Sequence, residues 1–194
     1  MASIRTPFQS ESPILDNTAI RLRATSTADA EVLALIGSAT FLETYAGQLP
    51  GTAIIAHCLT AHSASAWQSL LQSAENQVWL AEAPNGAPIG YALLAPPDIP
   101  GQQTTDLELR RIYVLSRWHG RGTGQTLLKT ASRAAAKRGA RRILLGVWVN
   151  NQLALGFYAA QGFRQIATRR FQIGHMTCDD YVLAKPLADK DVGE

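Results

Sequence analysis

The stretch HGRGTG, which starts at His119 and ends at Gly124, lies between a predicted strand and a basic predicted helix. A helix N-terminus leaves four backbone N–H groups unpaired and carries about half a positive charge, and glycines let a pyrophosphate approach those donors. The stretch therefore predicts an anion site, although glycines also serve tight turns. A dinucleotide-binding fingerprint would need a glycine where Gln125 stands, and a P-loop would need a lysine directly after Gly124. Both of these loops are excluded.

The residues after this stretch predict a helix, a strand, a second helix and a final pair of strands. The first helix carries leucine and alanine on one face and lysine and arginine on another, and Gly139 ends it. These elements are expected at residues 125–138, 143–149, 152–160, 164–173 and 180–185.

The residues before this stretch also alternate between strand and helix patterns. Asn85 and Gly86 join two apolar runs and are typical of a tight antiparallel hairpin. Capping residues at 25–29 precede an apolar helical pattern. The expected elements are a strand at 18–24, a helix from 32 that 41–45 extend, one or two helical pieces at 53–59 and 64–71, strands at 77–82, 89–95 and 106–115, and a loop at 96–105.

The composition is that of a single globular domain. The 194 residues are 46% hydrophobic and 17% charged, and the mean hydropathy is near zero. Every apolar run is far shorter than the roughly 20 residues that span a bilayer, and residues 1–17 lack the pattern of a secretory signal. We therefore expect no membrane association and a cytoplasmic location. Cys58 and Cys178 lack metal-ligand spacing, so neither a zinc site nor a disulfide is expected.

Positive charge is concentrated in about one sixth of the chain. The net charge is only +3, yet ten lysines and arginines lie from Arg110 to Arg142. They predict an anionic partner or, alternatively, solvated faces of a helix and its loops. Nucleic acid fits poorly, because the segment lacks interleaved aromatic residues and any helix-turn-helix or RNA-binding signature. A phosphorylated cofactor fits better.

Two motifs resemble those of the GNAT superfamily of N-acetyltransferases. The run IYV at residues 112–114, followed by GTG at residues 122–124, is similar to its acyl-CoA motif, Gln/Arg-x-x-Gly-x-Gly/Ala after a strand. His119 departs from that motif, because it stands where the family has Gln or Arg. The second motif, NQLALGFYAAQGF at residues 151–163, resembles N-x-x-A-x-x-F-Y-x-x-x-G-F.

Finer details are similar to the PaiA-type branch, whose known members acetylate polyamines. They are ELRRIYV at residues 108–114, LGVWVNN at 145–151 and FLETY at 41–45. The branch therefore implies a polyamine as the acceptor.

The resemblance covers roughly residues 19–187 and implies an α/β fold. One GNAT-like domain is expected at residues 18–187, between a flexible N-terminal tail at 1–17 and a C-terminal tail at 188–194. Its central sheet is expected to be mixed and mostly antiparallel, with splayed central strands and helices on its faces.

The resemblance also implies acetyl-CoA as the cosubstrate, a small-molecule primary amine as the acceptor, and no metal. Backbone groups near Val114 would bind the pantetheine arm as an added strand does. The implied coenzyme-binding residues are Ile112, Tyr113, Val114, His119, Gly120, Arg121, Gly122, Thr123, Gly124, Gln125 and Asn151.

Glu108 is the candidate general base. An alkylamine has a pKa of about 10.4, so its attack on a thioester near neutral pH needs a group that takes its proton. Glu108 lies six residues before Val114, so period-two alternation predicts that both side chains lie on the same strand face. The resemblance supports this role, because Glu108 matches the general-base position of some GNAT enzymes. Alternatively, Glu108 only pairs with Arg110 or Arg111.

Tyr158 is the candidate acid, because it matches the family residue that protonates the departing thiolate. The alternative is a core tyrosine on an apolar helix face. Asn151 is either a plain N-cap or also a coenzyme contact. Trp148 either lines the acceptor pocket or is a buried strand residue.

The acceptor end is expected to include His175, Asp179 and Asp180, where carboxylates would suit a cationic substrate. Three rival functions stay open. A protein or peptide N-acetyltransferase needs a peptide groove, and a non-catalytic acyl-CoA-binding regulator needs neither Glu108 nor Tyr158. A nucleic-acid binder would lose affinity steeply with salt. A homodimer is the expected assembly.

Overall fold

The computed structural model describes residues 20–173 and 176–187, and these form seven strands and five α-helices. The strands are β1 (Arg21–Ala24), β2 (Gln77–Glu82), β3 (Pro88–Ala95), β4 (Asp106–Val114), β5 (Arg142–Trp148), β6 (Arg164–Ile173) and β7 (Met176–Pro186). The helices are α1 (Ala30–Tyr45), α2 (Gly51–Ala61), α3 (Ala64–Gln72), α4 (Thr123–Lys137) and α5 (Gln152–Ala160).

All seven strands belong to one sheet, in the order β1-β2-β3-β4-β5-β7-β6. Neighbouring strands run antiparallel except β4 and β5, which run parallel. Strand β7 inserts between β5 and β6, so the last hairpin doubles back into the sheet. The predicted fold class, a single α/β domain with a mixed and mostly antiparallel sheet, is confirmed.

The pairing between β4 and β5 is short. It joins Asp106–Glu108 to Arg142–Leu144. Beyond these residues β4 continues to Val114 and β5 to Trp148, but the two strands no longer pair with each other. The two strands therefore diverge and leave an opening, the β4–β5 gap, in the middle of the sheet. This opening confirms the predicted splay of the central strands.

A β-bulge in β4 sets which side chains share a face. Arg111 pairs with Leu93 and Leu109 pairs with Leu94, so Arg110 is an extra residue on β4. The bulge shifts the alternation by one position, and Glu108 and Val114 consequently lie on opposite faces. The predicted placement of both residues on one face is therefore wrong, because it assumed regular alternation.

Two helical layers cover the sheet. Helix α4 packs Leu127, Leu128 and Ala131 onto one face, and Tyr158 of α5 joins the same cluster. Helices α1, α2 and α3 cover the other face, where the fully buried Trp67 lies against β2 and β3. We call these the α4 face and the α1 face. Val114 packs on the α4 face.

Most predicted elements lie where the sequence placed them. The extension of α1 through residues 41–45 and the hairpin between β2 and β3 are confirmed. Helix α4 begins at Thr123, two residues earlier than expected, and β7 begins at Met176 instead of residue 180. The predicted tails, at 1–17 and 188–194, lie outside the described residues.

No helix between residues 20 and 173 or 176 and 187 is long and apolar enough to cross a membrane.

Gly90 lets β3 approach the end of β4 closely. A Cβ atom at this position would lie 2.6 Å from the Tyr113 carbonyl oxygen and 3.0 Å from Val114 Cγ2. We expect Gly90→Ala to lower the free energy of unfolding by about 1–3 kcal/mol, because the backbone must shift. Urea unfolding measures this loss. Gly51→Ala is the control, because nothing lies within 4 Å of its added Cβ. Equal stability of the two variants would contradict the close approach.

Candidate active site

Strand β4 presents unpaired backbone groups to the gap. Tyr113 lies opposite Tyr91, and the Leu115 N–H donates to the Ile89 carbonyl at 2.9 Å, so these alternate residues of β4 bond to β3. The N–H and C=O groups of Ile112 and Val114 must therefore point the other way, into the gap. An extended amide chain can bind there as an added strand does.

His119 already forms a hydrogen bond with one of these backbone groups. Its Nε2 lies 2.8 Å from the Val114 carbonyl oxygen. A carbonyl oxygen only accepts, so Nε2 carries the proton and donates this hydrogen bond. The imidazole therefore binds the chain's own strand, and the Val114 N–H and both backbone groups of Ile112 are left facing the gap.

The glycine turn lies beside the same end of β4. Gly120 and Gly122 have φ values of +72° and +80°, and nothing lies within 4 Å of a Cβ added at either position. Gly122 is the N-cap of α4, so the first N–H groups of this helix face open space. The guanidinium of Arg121 packs on the Trp118 ring, 5.2 Å from its centroid. These features fit a pyrophosphate.

Gly122→Val tests this turn. A β-branched residue is strained at positive φ, so the turn should rearrange and its N–H groups should lose their alignment. We expect the KM for acetyl-CoA to rise about tenfold, which corresponds to about 1.4 kcal/mol. Initial-rate kinetics measure it. Gly139→Val, at φ +79° and equally open beyond the other end of α4, is the matched control. A similar rise in that control would assign the effect to general destabilisation.

Tyr158 reaches the gap from the α4 face. Its side chain is 7% exposed and packs against Phe157 and Phe163. Burial raises the pKa of Tyr158 above its usual value, and Tyr113 on the α1 face adds to the shift. The phenol therefore stays protonated at neutral pH. Among the described residues its hydroxyl makes no hydrogen bond, so the proton is free for a ligand.

Glu108 is 1% exposed, on the α1 face of the sheet. One carboxylate oxygen accepts a hydrogen bond from the Asp98 N–H at 3.1 Å and lies 3.5 Å from Arg110 Nε. The other oxygen lies 3.7 Å from Arg169 Nη1. The predicted pairing with Arg110 is therefore confirmed, and the role as a base stays a prediction.

Arg169 bridges Glu108 to a second buried carboxylate, Asp180. Its Nε donates to Asp180 Oδ2 at 3.2 Å. Burial raises the pKa of Asp180, and the charge of Arg169 opposes this shift. The guanidinium lies across Gly146 of β5, where an added Cβ would be 2.7 Å from Arg169 Cζ. Only glycine at position 146 leaves space for the Arg169 guanidinium. Nothing in the sequence pattern indicated that Arg169 would bridge the two carboxylates.

Aromatic rings line the α1 face beside these carboxylates. The ring centroid of Trp148 lies 5.8 Å from that of Tyr45, and Phe41 lies 6.5 Å from Tyr113. The pKa of Tyr45 is raised, first by burial and then by Tyr113, Asp180 and Tyr158. Sequence reasoning assigned no role to Tyr45.

The remaining residues predicted for the acceptor end and for coenzyme binding lie in different surroundings. Asp179 is exposed, whereas Asp180 is buried. His175 lies outside the described residues. Asn151 caps α5, since its side-chain oxygen accepts from the Ala154 N–H at 3.1 Å. The N-cap interpretation is thus confirmed, and its contact with the coenzyme stays a prediction.

Glu43 of α1 anchors the loop that leads to the glycine turn. Its carboxylate accepts from the Ser116 N–H at 2.8 Å and from the Ser116 hydroxyl at 2.6 Å. These hydrogen bonds, led by the one from the hydroxyl, lower the pKa of Glu43. Helix α1 and the glycine turn are thereby held in a fixed relation. The contact spans 73 positions, so no local pattern predicts it.

Comparisons with known proteins agree with this geometry. The profile of the acetyltransferase (GNAT) family matches residues 40–163, which is more than half of the chain. An uncharacterized N-acetyltransferase of Mycobacterium tuberculosis (strain H37Rv) is 38% identical over 103 residues, which cover 53% of this chain and 63% of the relative. Another, from Lactobacillus delbrueckii subsp. lactis, is 30% identical over 105 residues, which cover 53% of this chain and 61% of the relative. The match thus spans less than two thirds of these relatives.

Two solved structures share the fold. The PaiA N-acetyltransferase of Thermoplasma acidophilum, in complex with coenzyme A, aligns with a TM-score of 0.72 at 21% identity, over 87% of this chain and 99% of that one. A GCN5-related N-acetyltransferase of Rhodopseudomonas palustris aligns with a TM-score of 0.70 at 22% identity, over 88% of this chain and 97% of that one. At these identities the likeness concerns the fold.

Proposed function

Because the chain belongs to the GNAT family of acetyltransferases, we propose that it transfers an acetyl group from acetyl-CoA to the primary amine of a small molecule. The β4–β5 gap carries this proposal. Its open end lies beside the glycine turn, which fits the pyrophosphate, and its closed end lies at Glu108, where the pairing of β4 with β5 stops. Five paired positions separate Glu108 from Val114, a length of about 17 Å along the strand, which an extended pantetheine arm can follow.

The proposed coenzyme contacts divide between these two regions. Ile112 and the Val114 N–H would bind the amides of the pantetheine arm. The turn and the start of α4, from Gly120 to Gln125, would bind the pyrophosphate through backbone N–H groups. The hydroxyl of Thr123 is buried without a hydrogen-bond partner among the described residues, which leaves it available as well.

The reaction is a direct displacement. The amine nitrogen attacks the thioester carbonyl carbon, a C–N bond forms, and the amine proton passes to the Glu108 carboxylate, directly or through water. When the tetrahedral intermediate collapses, the C–S bond breaks, and the leaving thiolate takes a proton from the Tyr158 hydroxyl. Glu108 and Tyr158 lie on opposite sides of the gap, so the base acts from the α1 face and the acid from the α4 face.

Polyamines are the first acceptor class to test, because the PaiA-type motifs predict them. The buried carboxylates of the site could attract a polyamine, but both are already paired with arginines. Glu108 is paired with Arg110 and Arg169, and Asp180 is paired with Arg169. Neither carboxylate therefore has its full negative charge available to bind a second ammonium group of a polyamine.

The proposal is tested by thiol release from acetyl-CoA with purified protein. The panel contains spermidine, spermine, simple amines, amino acids and short peptides, and the acetylated product is identified by mass. Turnover of a small amine supports the proposal. Turnover of peptides alone would favour a protein N-acetyltransferase, and acetyl-CoA binding without any turnover would favour a regulator.

A further inference from the structure

Arg111 is half-buried and extends from β4 towards the layer between the sheet and helices α1 to α3. Its guanidinium lies over the Trp67 ring, with Cζ 4.8 Å from the ring centroid. One guanidinium nitrogen, Nη1, is buried without a hydrogen-bond partner, and among residues 20–173 and 176–187 no carboxylate oxygen lies within 4 Å of this side chain. A charge withdrawn from water is costly unless it is paired. The arginine therefore lacks an anion.

The groups around Arg111 do not neutralise it. Burial, reinforced by the charge of Arg111, lowers the pKa of His57 to about 4 and that of His62 to about 3. Both imidazoles are therefore uncharged at neutral pH. Burial also raises the pKa of Tyr91, which keeps its phenol protonated. Arg111 is thus a cation among neutral groups.

Three neighbouring side chains also have unsatisfied polar atoms. They are Trp67 Nε1, His62 Nδ1 and the Tyr91 hydroxyl, all buried and without a hydrogen bond of ordinary geometry in the described part of the chain. Thr40 lies near the Tyr91 hydroxyl; its own proton is donated to the Ile36 carbonyl at 2.7 Å, so towards Tyr91 the Thr40 oxygen can only accept. We call Arg111, Trp67, Tyr91 and His62 the Arg111 cluster.

The Arg111 cluster is compact. The Trp67 ring centroid lies 5.2 Å from that of Tyr91 and 6.2 Å from that of His62. Trp67 and Arg111 have N–H groups that can only donate, and the Tyr91 phenol can donate as well. Donors around an unpaired cation complement a carboxylate, which only accepts hydrogen bonds when ionised.

The Arg111 cluster adjoins the proposed reaction centre. Arg111 follows the bulge at Arg110 and lies two paired positions from Glu108, or about 7 Å along the strand. The ring of Tyr91 stacks on that of Tyr113 with centroids 5.8 Å apart, and Phe41 contacts both His62 and Tyr113. The cluster and the proposed reaction centre therefore share the α1 face of the same strands.

We infer that the acceptor is an amine that also carries a carboxylate, as an amino acid does, and that Arg111 and the Trp67 N–H bind this carboxylate. The inference rests on the proposed function and names its substrate class. The carboxylate supplies the negative charge that the chain does not place beside Arg111. A simple polyamine has no group for this subsite, so experiment separates the two acceptor classes.

The test compares acceptors that differ only in a carboxylate. Ornithine is matched with putrescine, and 4-aminobutyrate with butylamine. We expect kcat/KM to be at least about tenfold higher for the acid than for its matched amine in at least one pair, since the amine leaves the charged donor without an acceptor. Arg111→Met should remove that preference by raising the KM for the acid, and Arg111→Lys should keep part of it. Preference for putrescine, spermidine or butylamine would overturn the inference.

The same variants distinguish the proposed binding role of Arg111 from a purely structural one. A structural role predicts that Arg111→Met lowers kcat/KM equally for the acid and for its matched amine, which would also overturn the inference. If Arg111→Met does not fold, Trp67→Phe removes the Nε1–H and retains most of the ring. That variant should lower kcat/KM for the acid more than for its matched amine. An equal loss for the acid and the amine would count against the subsite.

A binding measurement separates this inference from the proposed function. Calorimetry with 4-aminobutyrate and with butylamine, in the presence of coenzyme A, needs no turnover. Binding of the acid alone, lost in Arg111→Met, supports the subsite even if no acceptor in the panel is acetylated. Absence of binding by the acid, together with turnover of other amines, overturns the subsite and leaves the proposed function in place.

Discussion

Tyr158→Phe is expected to lower kcat about 100-fold or more, because it removes the proton donor for the leaving thiolate. The KM for acetyl-CoA should change little, since the ring and its packing against Phe157 and Phe163 are retained. The fold should also be preserved. The hydroxyl makes no hydrogen bond among the described residues, so its loss leaves no buried protein group without a partner.

Steady-state kinetics with acetyl-CoA and the best acceptor measure this effect. Tyr181→Phe is a matched control, because Tyr181 also packs on the α4 face and has no assigned role in the reaction. A small change in kcat for Tyr158→Phe would remove the tyrosine from the mechanism. Solvent would then be left as the proton donor.

Glu108→Gln should lower kcat/KM at neutral pH about 100-fold, because the amine loses the group that takes its proton. The variant should recover as the pH rises towards the acceptor's pKa of about 10.4, since more of the amine is then already deprotonated. The wild-type protein should depend less on pH in this range. Profiles of kcat/KM against pH compare the two proteins.

Asp180→Asn is the matched control for Glu108→Gln. Both carboxylates are buried, and both pair with Arg169, so both variants leave that arginine with one charged partner fewer. Destabilisation from the lost ion pair should therefore be similar, which thermal unfolding checks. If Asp180→Asn shows the larger loss of kcat/KM and the steeper pH dependence, the base is Asp180. Burial raises the pKa of Asp180 and so makes that alternative chemically reasonable.

The sequence predicted the parts of the site that depend on local signals. Glycines with positive φ ahead of an amphipathic helix identified the turn, and the F-Y pair placed Tyr158 on α5. The splay of β4 and β5 was predicted from the family resemblance, since the sequence of neither strand indicates where their pairing stops. Asn151 was recognised as an N-cap because capping acts within one helical turn.

The parts that were missed depend on long-range contacts or on a single irregular residue. The bulge at Arg110 moved Glu108 to the other face, and the alternating pattern of β4 gave no sign of it. Arg169 reaches Glu108 from β6, and its space is provided by Gly146 on β5. Trp67 and Arg111 come from a helix and a strand that meet only in the folded chain. Their joint lack of an anion could not be read from either segment.

The β4–β5 gap also affects how the protein behaves before it meets its cosubstrate. β1 to β4 form one half-sheet and β5 to β7 form another, joined edge to edge by three residue pairs. Exposed strand edges are templates for pairing with other chains, and most proteins cover or close them. The pantetheine arm that we propose to bind along β4 would cover this inner edge as an added strand does, so acetyl-CoA would complete the sheet in addition to serving as the acetyl donor.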